Sequence, residues 1–322
     1  MYEIVTLDEL KSWCKITTTG NDIFFETLRT AITALVENFI GHTVITRSYT
    51  EFYDGMSQHR LLLYHYPIYL ELDSDSNPSN ITLYDDTERK WTSSSLIDPT
   101  DYWVEPDCGT ITLYDDEWRF STGVGCIKVS YWAGMSRFLV VSGFNDRIDV
   151  QEDGGAEVSV QIPAKDETQT EYRGYSAEAL AAAIQTALNE SENLNGTYTV
   201  NYDHVTQKFT ISATGLTSLS LLWSSGSNAT SNIASLIGFS TSADKTGALS
   251  YISDFAVTGV PHDLRLACQQ IALKLWEDSK QGISIQNVER EVLQQGINRV
   301  WVKSWIPVTA QTILEKYKRI AI

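Results

Sequence analysis

Helical periodicity is strong at the two ends of this chain and fades between them, and that interruption constrains the fold more than any other feature. From about Asn21 to Ile40, the residues Ile23, Phe24, Leu28, Ala31, Ile32, Leu35, Val36 and Phe39 recur at spacings of three and four, and Gly41 supplies the stop. Ahead of them, Thr6-Leu7-Asp8-Glu9 is a capping-box sequence that opens a short helix. The period returns at Pro261, a residue suited to a first helical turn. Asp263 complements the helix dipole, Leu264, Cys268, Ile271, Ala272 and Leu275 form a stripe, and Gly282 ends the run. A last helix is predicted over Ala310–Lys318.

Between these ends the period is two. Val44, Thr46 and Ser48 alternate with Ile45, Arg47 and Tyr49 before the turn at Asp54-Gly55. Further strands are predicted at Arg60–Leu72, Ile81–Tyr84, Thr110–Tyr114 and Gly125–Tyr131. The six residues Ile81–Asp86 recur as Ile111–Asp116, which reads as two similar strands ending in acidic turns. From about Ser142 to Phe255, Ser, Thr, Asn, Gly and Ala dominate. That stretch holds a helix over Ser176–Leu188 with Ser176 as its cap, a short helix near Ala229–Ile237, and short strands at Arg147–Val150, Glu157–Ile162, Tyr198–Tyr202, Lys208–Ala213 and Ser218–Leu222. This order, a helical–β domain without its closing helix, a module of different texture, then the helix, reads as a domain insertion with its ends near Ala133-Gly134 and Val257–Val260.

The chain has 322 residues, 43% of them hydrophobic, which is enough for two cores of ordinary size. A net charge of −17 argues against a protein that grips DNA, because phosphate binding needs clustered Lys and Arg. Gly143–Ala256 carries 14 acidic against 5 basic residues, so −9 of that charge lies in the insertion. No leader-like start and no membrane-length apolar run is read, so folding in a cytoplasm is expected. The scattered cysteines, Cys14, Cys108, Cys126 and Cys268, are expected to be small buried hydrophobes.

No catalytic constellation is complete. Asp73-Ser74-Asp75-Ser76-Asn77 opens like a calcium loop, but Pro78 stands where Gly is required and Tyr84 where a bidentate Glu belongs. Asp85-Asp86 and Asp115-Asp116-Glu117 could pair as glycosidase carboxylates, although acidic residues at strand ends are commonplace. The histidines form no triad and no zinc pattern. The expectation is a protein that is not an enzyme and holds no cofactor or metal.

The order of elements resembles the head–tail connector (adaptor, or head-completion) family of tailed bacteriophages. The residues that carry the likeness are Leu7-Asp8-Glu9-Leu10-Lys11, the long second helix to Val36-Glu37-Asn38, and the strand Val44-Ile45-Thr46. After them come Tyr66-Pro67-Ile68, Tyr102-Trp103-Val104, then Val129-Ser130-Tyr131-Trp132-Ala133-Gly134, and finally Val260-Pro261 with Leu275-Trp276-Glu277-Asp278. The inserted module is similar to small α+β domains of phage virion proteins, through Tyr175–Leu180, Tyr198-Thr199-Val200, Phe209-Thr210-Ile211 and Ile237-Gly238-Phe239.

The resemblance implies an α+β fold: a helical adaptor core with a small antiparallel β part, interrupted by an inserted α+β domain. The segments would be 1–141 (adaptor, first part), 142–256 (insertion) and 257–322 (closing helix and docking segment). It also implies a virion location at the head–tail interface after assembly in the host cytoplasm, in a ring commonly of about twelve copies. The partners would be the portal protein, a tail or stopper (tail-completion) protein, other copies of the chain, and genomic DNA that passes without specific binding. Trp301-Val302-Lys303-Ser304-Trp305-Ile306 alternates like a strand. Trp301, Trp305, Leu314 and Tyr317, with the basic Lys316, Lys318 and Arg319, are expected either to engage the portal or to pack on their own subunit. The principal rival is a virion adhesin or glycan-binding protein with the insertion as its binding domain.

Overall fold

The computed structural model describes residues 3–73, 75–115, 118–165, 174–280 and 306–318. In chain order its elements are α1 (Leu7–Trp13), α2 (Asp22–Ile40), β1 (Arg47–Gly55), β2 (Arg60–Leu62), β3 (Ile68–Tyr69), β4 (Thr82–Asp85), β5 (Tyr102–Glu105), β6 (Thr110–Leu113) and β7 (Gly123–Ala133). There follow β8 (Arg147–Glu152), β9 (Glu157–Gln161), α3 (Ala177–Asn189), β10 (Thr197–Asp203), β11 (Lys208–Thr214), β12 (Leu219–Leu221), β13 (Lys245–Ala248), β14 (Ser250–Ile252), α4 (His262–Lys280) and α5 (Val308–Lys316). The chain divides into two compact units: one of Met1–Gly41 with Val260–Ile322, the other of His42–Gly259.

The first unit is helical and is made by both ends of the chain. Thr6 caps α1 as the sequence predicts: its hydroxyl accepts from Glu9 N at 3.1 Å, and Glu9 accepts from Thr6 N at 2.9 Å. Gly41 ends α2 in the left-handed conformation, φ 73°, which costs glycine little. Leu10, Phe25, Ile32, Val36, Leu264, Cys268 and Ile271 are buried, and Trp276 of α4 packs its ring against Phe24 and Phe25 at 5.3 and 5.1 Å. Arg265 on α4 pairs with Glu9 on α1 at 2.5 Å, and Lys11 with Asp22 at 2.5 Å.

The second unit is built of sheets. β7 is the spine of the first: β1 pairs with one of its edges, and β3 and β4 both pair with it as well, all antiparallel. A second sheet, in the order β2-β6-β5, shares a core with it that includes Tyr53, Ile127, Val129 and Tyr131 from the first sheet and Leu61, Tyr102, Ile111 and Leu113 from the second. We call this the first lobe. The second lobe has its own core, built from the sheets β13-β12-β8-β9 and β10-β11-β14 with α3, and centred on Phe209, Ile211, Leu219, Trp223 and Phe239. The two apolar clusters share no residue. At the base of the second lobe Arg137 N donates to the Gly259 carbonyl at 2.7 Å, so entering and leaving chains lie side by side.

The fold therefore differs from the expected helical core with a small β part. Among the described residues, fourteen strands in four antiparallel sheets stand beside five helices, and strand (28%) slightly exceeds helix (26%). The reason is one of signal strength. Long amphipathic helices announce themselves over five turns. By contrast, several strands here have two to four residues and lie in polar sequence where alternation is hard to see. The predicted strand Arg60–Leu72 is in fact β2 and β3 in different sheets, with Pro67, which cannot donate to a ladder, just before β3. β13 and β14 were not anticipated, and residues 229–237 form successive turns instead of a helix.

Local chemistry closes the second lobe. Ser176 caps α3 by accepting from Ala179 N at 3.1 Å. Gln185 and Asn189 of α3 then satisfy the outer edge of β10, accepting from Val200 N at 3.0 Å and Tyr198 N at 2.8 Å. Glu152 at the end of β8 takes hydrogen bonds from Asn195 N, Gly196 N and the Tyr198 hydroxyl, at 2.8, 2.9 and 2.8 Å. Burial pushes its pKa upward, but these bonds outweigh burial and hold it below the usual carboxylate range. A depressed carboxylate contributes stability above its unfolded pKa, about 4.3, and loses it as pH falls through the folded value. Glu152→Gln is expected to flatten the acid limb of a melting-temperature profile, and an unchanged acid limb would show that Glu152 contributes nothing there.

Candidate interaction surface

The alternation of β1 decides what the first sheet shows on each face. Tyr49, Glu51 and Tyr53 point toward the core of the first lobe, and Ser48, Thr50 and Phe52 point away from it. On the spine, Phe52 lies opposite Lys128 and Thr50 opposite Ser130; on the far side Tyr84 also lies opposite Lys128. These residues make one outer face.

A loop adds the last ring. Asp86 follows β4 and accepts from Glu88 N at 2.9 Å, Lys90 N at 2.9 Å, Trp91 N at 2.8 Å and the Ser95 hydroxyl at 3.3 Å. Those bonds to the charged form hold its pKa low against the cost of burial. They also fix Trp91 at φ 54°, a left-handed conformation uncommon for a bulky residue. Trp91 thereby reaches Phe52 (centroids 5.6 Å apart) and Tyr84 (6.3 Å). The Lys128 ammonium lies 5.4 Å from the Tyr84 ring and 5.7 Å from that of Trp91, and makes no ion pair among the described residues. Phe52 remains 53% exposed. Two aromatic rings around a cation, beside an exposed Phe and the paired hydroxyls of Thr50 and Ser130 (3.0 Å), have the composition of a protein-binding hot spot.

The inner side of the same strands is a polar hub. Glu51 is buried and accepts from the hydroxyls of Tyr53 and Tyr131 (the latter at 2.8 Å), from Tyr64 N at 3.3 Å and from His65 Nδ1. Since a carboxylate only accepts, His65 carries its proton on Nδ1. The His65 ring stacks on Tyr49 with centroids 3.8 Å apart, and Tyr49 in turn accepts from Arg47 Nε at 2.5 Å. Burial, then the neighbouring Glu51 carboxylate, pushes both the Tyr53 and Tyr131 hydroxyls far above the ordinary phenol range. They therefore act as fixed donors. Chemically the hub pins residues 64–65, which lie between β2 and β3, onto the sheet whose other face carries the aromatic cluster.

The residues singled out from sequence fall elsewhere. Trp301, Trp305 and Arg319 lie outside the described residues. Leu314 is fully buried within the helical unit, and the Tyr317 hydroxyl donates to Asp263 at 2.7 Å. Lys316 is exposed, and Lys318 holds its ammonium 5.3 Å from the Phe39 ring. Asp85 accepts from Ser121 N at 2.8 Å, Asp86 organises its own loop, and Asp116 and Glu117 lie outside the described residues. Asp73 accepts from Asp75 N and Asn77 N at 2.9 and 2.8 Å, as in a closed turn. No cluster of three potential metal ligands occurs among the described residues. Three cysteines are buried, but Cys108 is exposed in the turn between β5 and β6, contrary to the expectation for all four.

Neither Phe52, Tyr84 and Lys128 nor the Glu51 hub was anticipated. One sign was present: Glu51 is in phase with Tyr49 and Tyr53 while Phe52 is out of phase, an inversion of the usual polar-out pattern. No protein-family model matches the chain, and no curated protein matches it by sequence.

Proposed function

We propose that the chain is a structural virion protein, a subunit of the adaptor ring that joins the head of a tailed phage to its tail. The carrying observation is the cluster of Phe52, Tyr84 and Trp91 around Lys128 on the outer face of the sheet, with Phe52 exposed and the others partly so, since interface cores are enriched in aromatic residues. The order of elements supports the particular assembly. The segment Val129–Gly134 closes the spine strand β7, Val260-Pro261 leads into α4, and the helices of the two chain ends combine in one unit. A protein that builds a ring needs recognition surfaces and no reaction centre.

Two measurements test this. Electron microscopy of the purified protein, alone and mixed with packaged tailless heads, is expected to show closed rings and added density beneath the portal. Particles that stay monomeric and leave the heads unchanged would overturn the reading. In the same assay Phe52→Ala is expected to keep the melting temperature, since Phe52 is half exposed, while weakening self-association by about tenfold, as loss of a contact of about 1.4 kcal/mol would do. An association constant equal to that of the unaltered protein removes the cluster from the interface.

A further inference from the structure

Within the compact second unit, two chain segments form the stalk that joins the second lobe to the first. They are Ser136–Phe138 entering and Thr258–Gly259 leaving, tied by the bond from Arg137 N to the Gly259 carbonyl. The stalk is anchored on the first lobe, where Thr46 donates through its N to the Ser136 hydroxyl at 2.8 Å and through its hydroxyl to the Ser136 carbonyl at 2.9 Å. On the other side it enters the second lobe at Phe138, which pairs with Tyr175 through both backbone groups. Two apolar clusters that share no residue, joined by two chain segments, are the setting in which a hinge forms.

Beside these segments, charged and aromatic side chains link the two lobes. Arg137 donates to the Thr46 hydroxyl at 2.7 Å and lays its guanidinium 4.5 Å from the Tyr69 ring. Burial lowers its pKa to about 10, so it stays charged at neutral pH. Lys165, from the second lobe, places its ammonium 4.5 Å from the Tyr175 ring of its own lobe and 5.7 Å from the Tyr69 ring of the other. It pairs with Glu71 of the first lobe at 2.9 Å, and Tyr69 donates to that same carboxylate at 2.8 Å. Lys165 and Glu71 both keep some exposure to solvent, so their pairing is open to screening and to competition.

We infer that the second lobe is a hinged body, latched against the first by the Lys165–Glu71–Tyr69–Arg137 clamp and free to turn about the stalk once Lys165 leaves Glu71. A fixed orientation held by an apolar interface would resist salt. The Lys165–Glu71 pair is the part-exposed contact of this set, so a partner's carboxylate or salt acts on it first, ahead of the buried Tyr69 and Tyr175 rings and the contact of Tyr69 with the Ser176 backbone. The clamp is thus a built-in means for the lobe to change direction during assembly.

The test uses the full chain with spin labels at two exposed sites. One is the native Cys108 in the first lobe, the other a cysteine introduced by Thr186→Cys on α3; labelled protein is diluted with unlabelled protein so that only distances within a chain are read. At low salt a single narrow distance distribution is expected. Glu71→Gln combined with Lys165→Met is expected to widen it by about twofold with the melting temperature kept, as for a rigid body released at a hinge. High salt should widen the distribution of the unsubstituted clamp in the same direction, and that arm decides the matter if the double variant fails to fold. A distribution that stays narrow in high salt and in the folded double variant overturns the proposal.

Discussion

Glu51→Ala is expected to destabilise the second unit by about 1–3 kcal/mol, the range for leaving a buried donor without its acceptor. The substitution takes away the acceptor shared by the Tyr53 and Tyr131 hydroxyls, Tyr64 N and His65 Nδ1. Tyr64 N keeps the Tyr53 hydroxyl at 2.8 Å and the Tyr131 hydroxyl keeps the His65 carbonyl at 3.0 Å, so the loss falls on the Tyr53 hydroxyl, a buried donor whose lost acceptor costs about 1–3 kcal/mol, and on the gap the small side chain leaves. Glu51→Gln restores the shape and one acceptor oxygen, so it should recover part of the loss. Chemical denaturation followed by tyrosine and tryptophan fluorescence measures both. If Glu51→Ala melts with the unaltered protein, the hub is ornamental, and its role in pinning residues 64–65 beneath the aromatic face falls with it.

Leu314→Ala should cost the helical unit about 2–5 kcal/mol, because a fully buried leucine loses both its transfer energy and the packing of the space it filled. That expectation separates two uses of α5. If the helix were held ready for a neighbouring chain through Leu314, the substitution would spare folding and abolish assembly. Full burial within its own unit, with Tyr317 donating to Asp263 and Thr309 to Gln270 at 2.6 Å, predicts loss of folding first. The exposed Lys316 is the better probe of docking through charge: Lys316→Glu should leave the melting temperature alone, so any change in binding to heads can be assigned to the surface.

What the amino-acid order determined by itself were the features that close within a few residues. The capping box at Thr6 and Glu9, the stop at Gly41, the cap at Ser176 and the helical stripe from Leu264 to Ala272 are local bonds and local periods, and each stands where it was read. The change of texture after the spine strand was legible for the same reason, since composition is a property of a window. Which strand pairs with which is a different kind of fact. Thr46 meets Ser136 across ninety positions, and Lys165 meets Glu71 across ninety-four. Nothing in either neighbourhood encodes the other, and the many short strands gave too few residues for period two to outweigh two long helices. Only the tertiary structure could decide that Glu51 faces inward to three tyrosines and a histidine while its neighbour Phe52 faces solvent beside Trp91 and Lys128. The phase of a strand is local, but which of its faces is covered depends on the sheet that comes to lie against it.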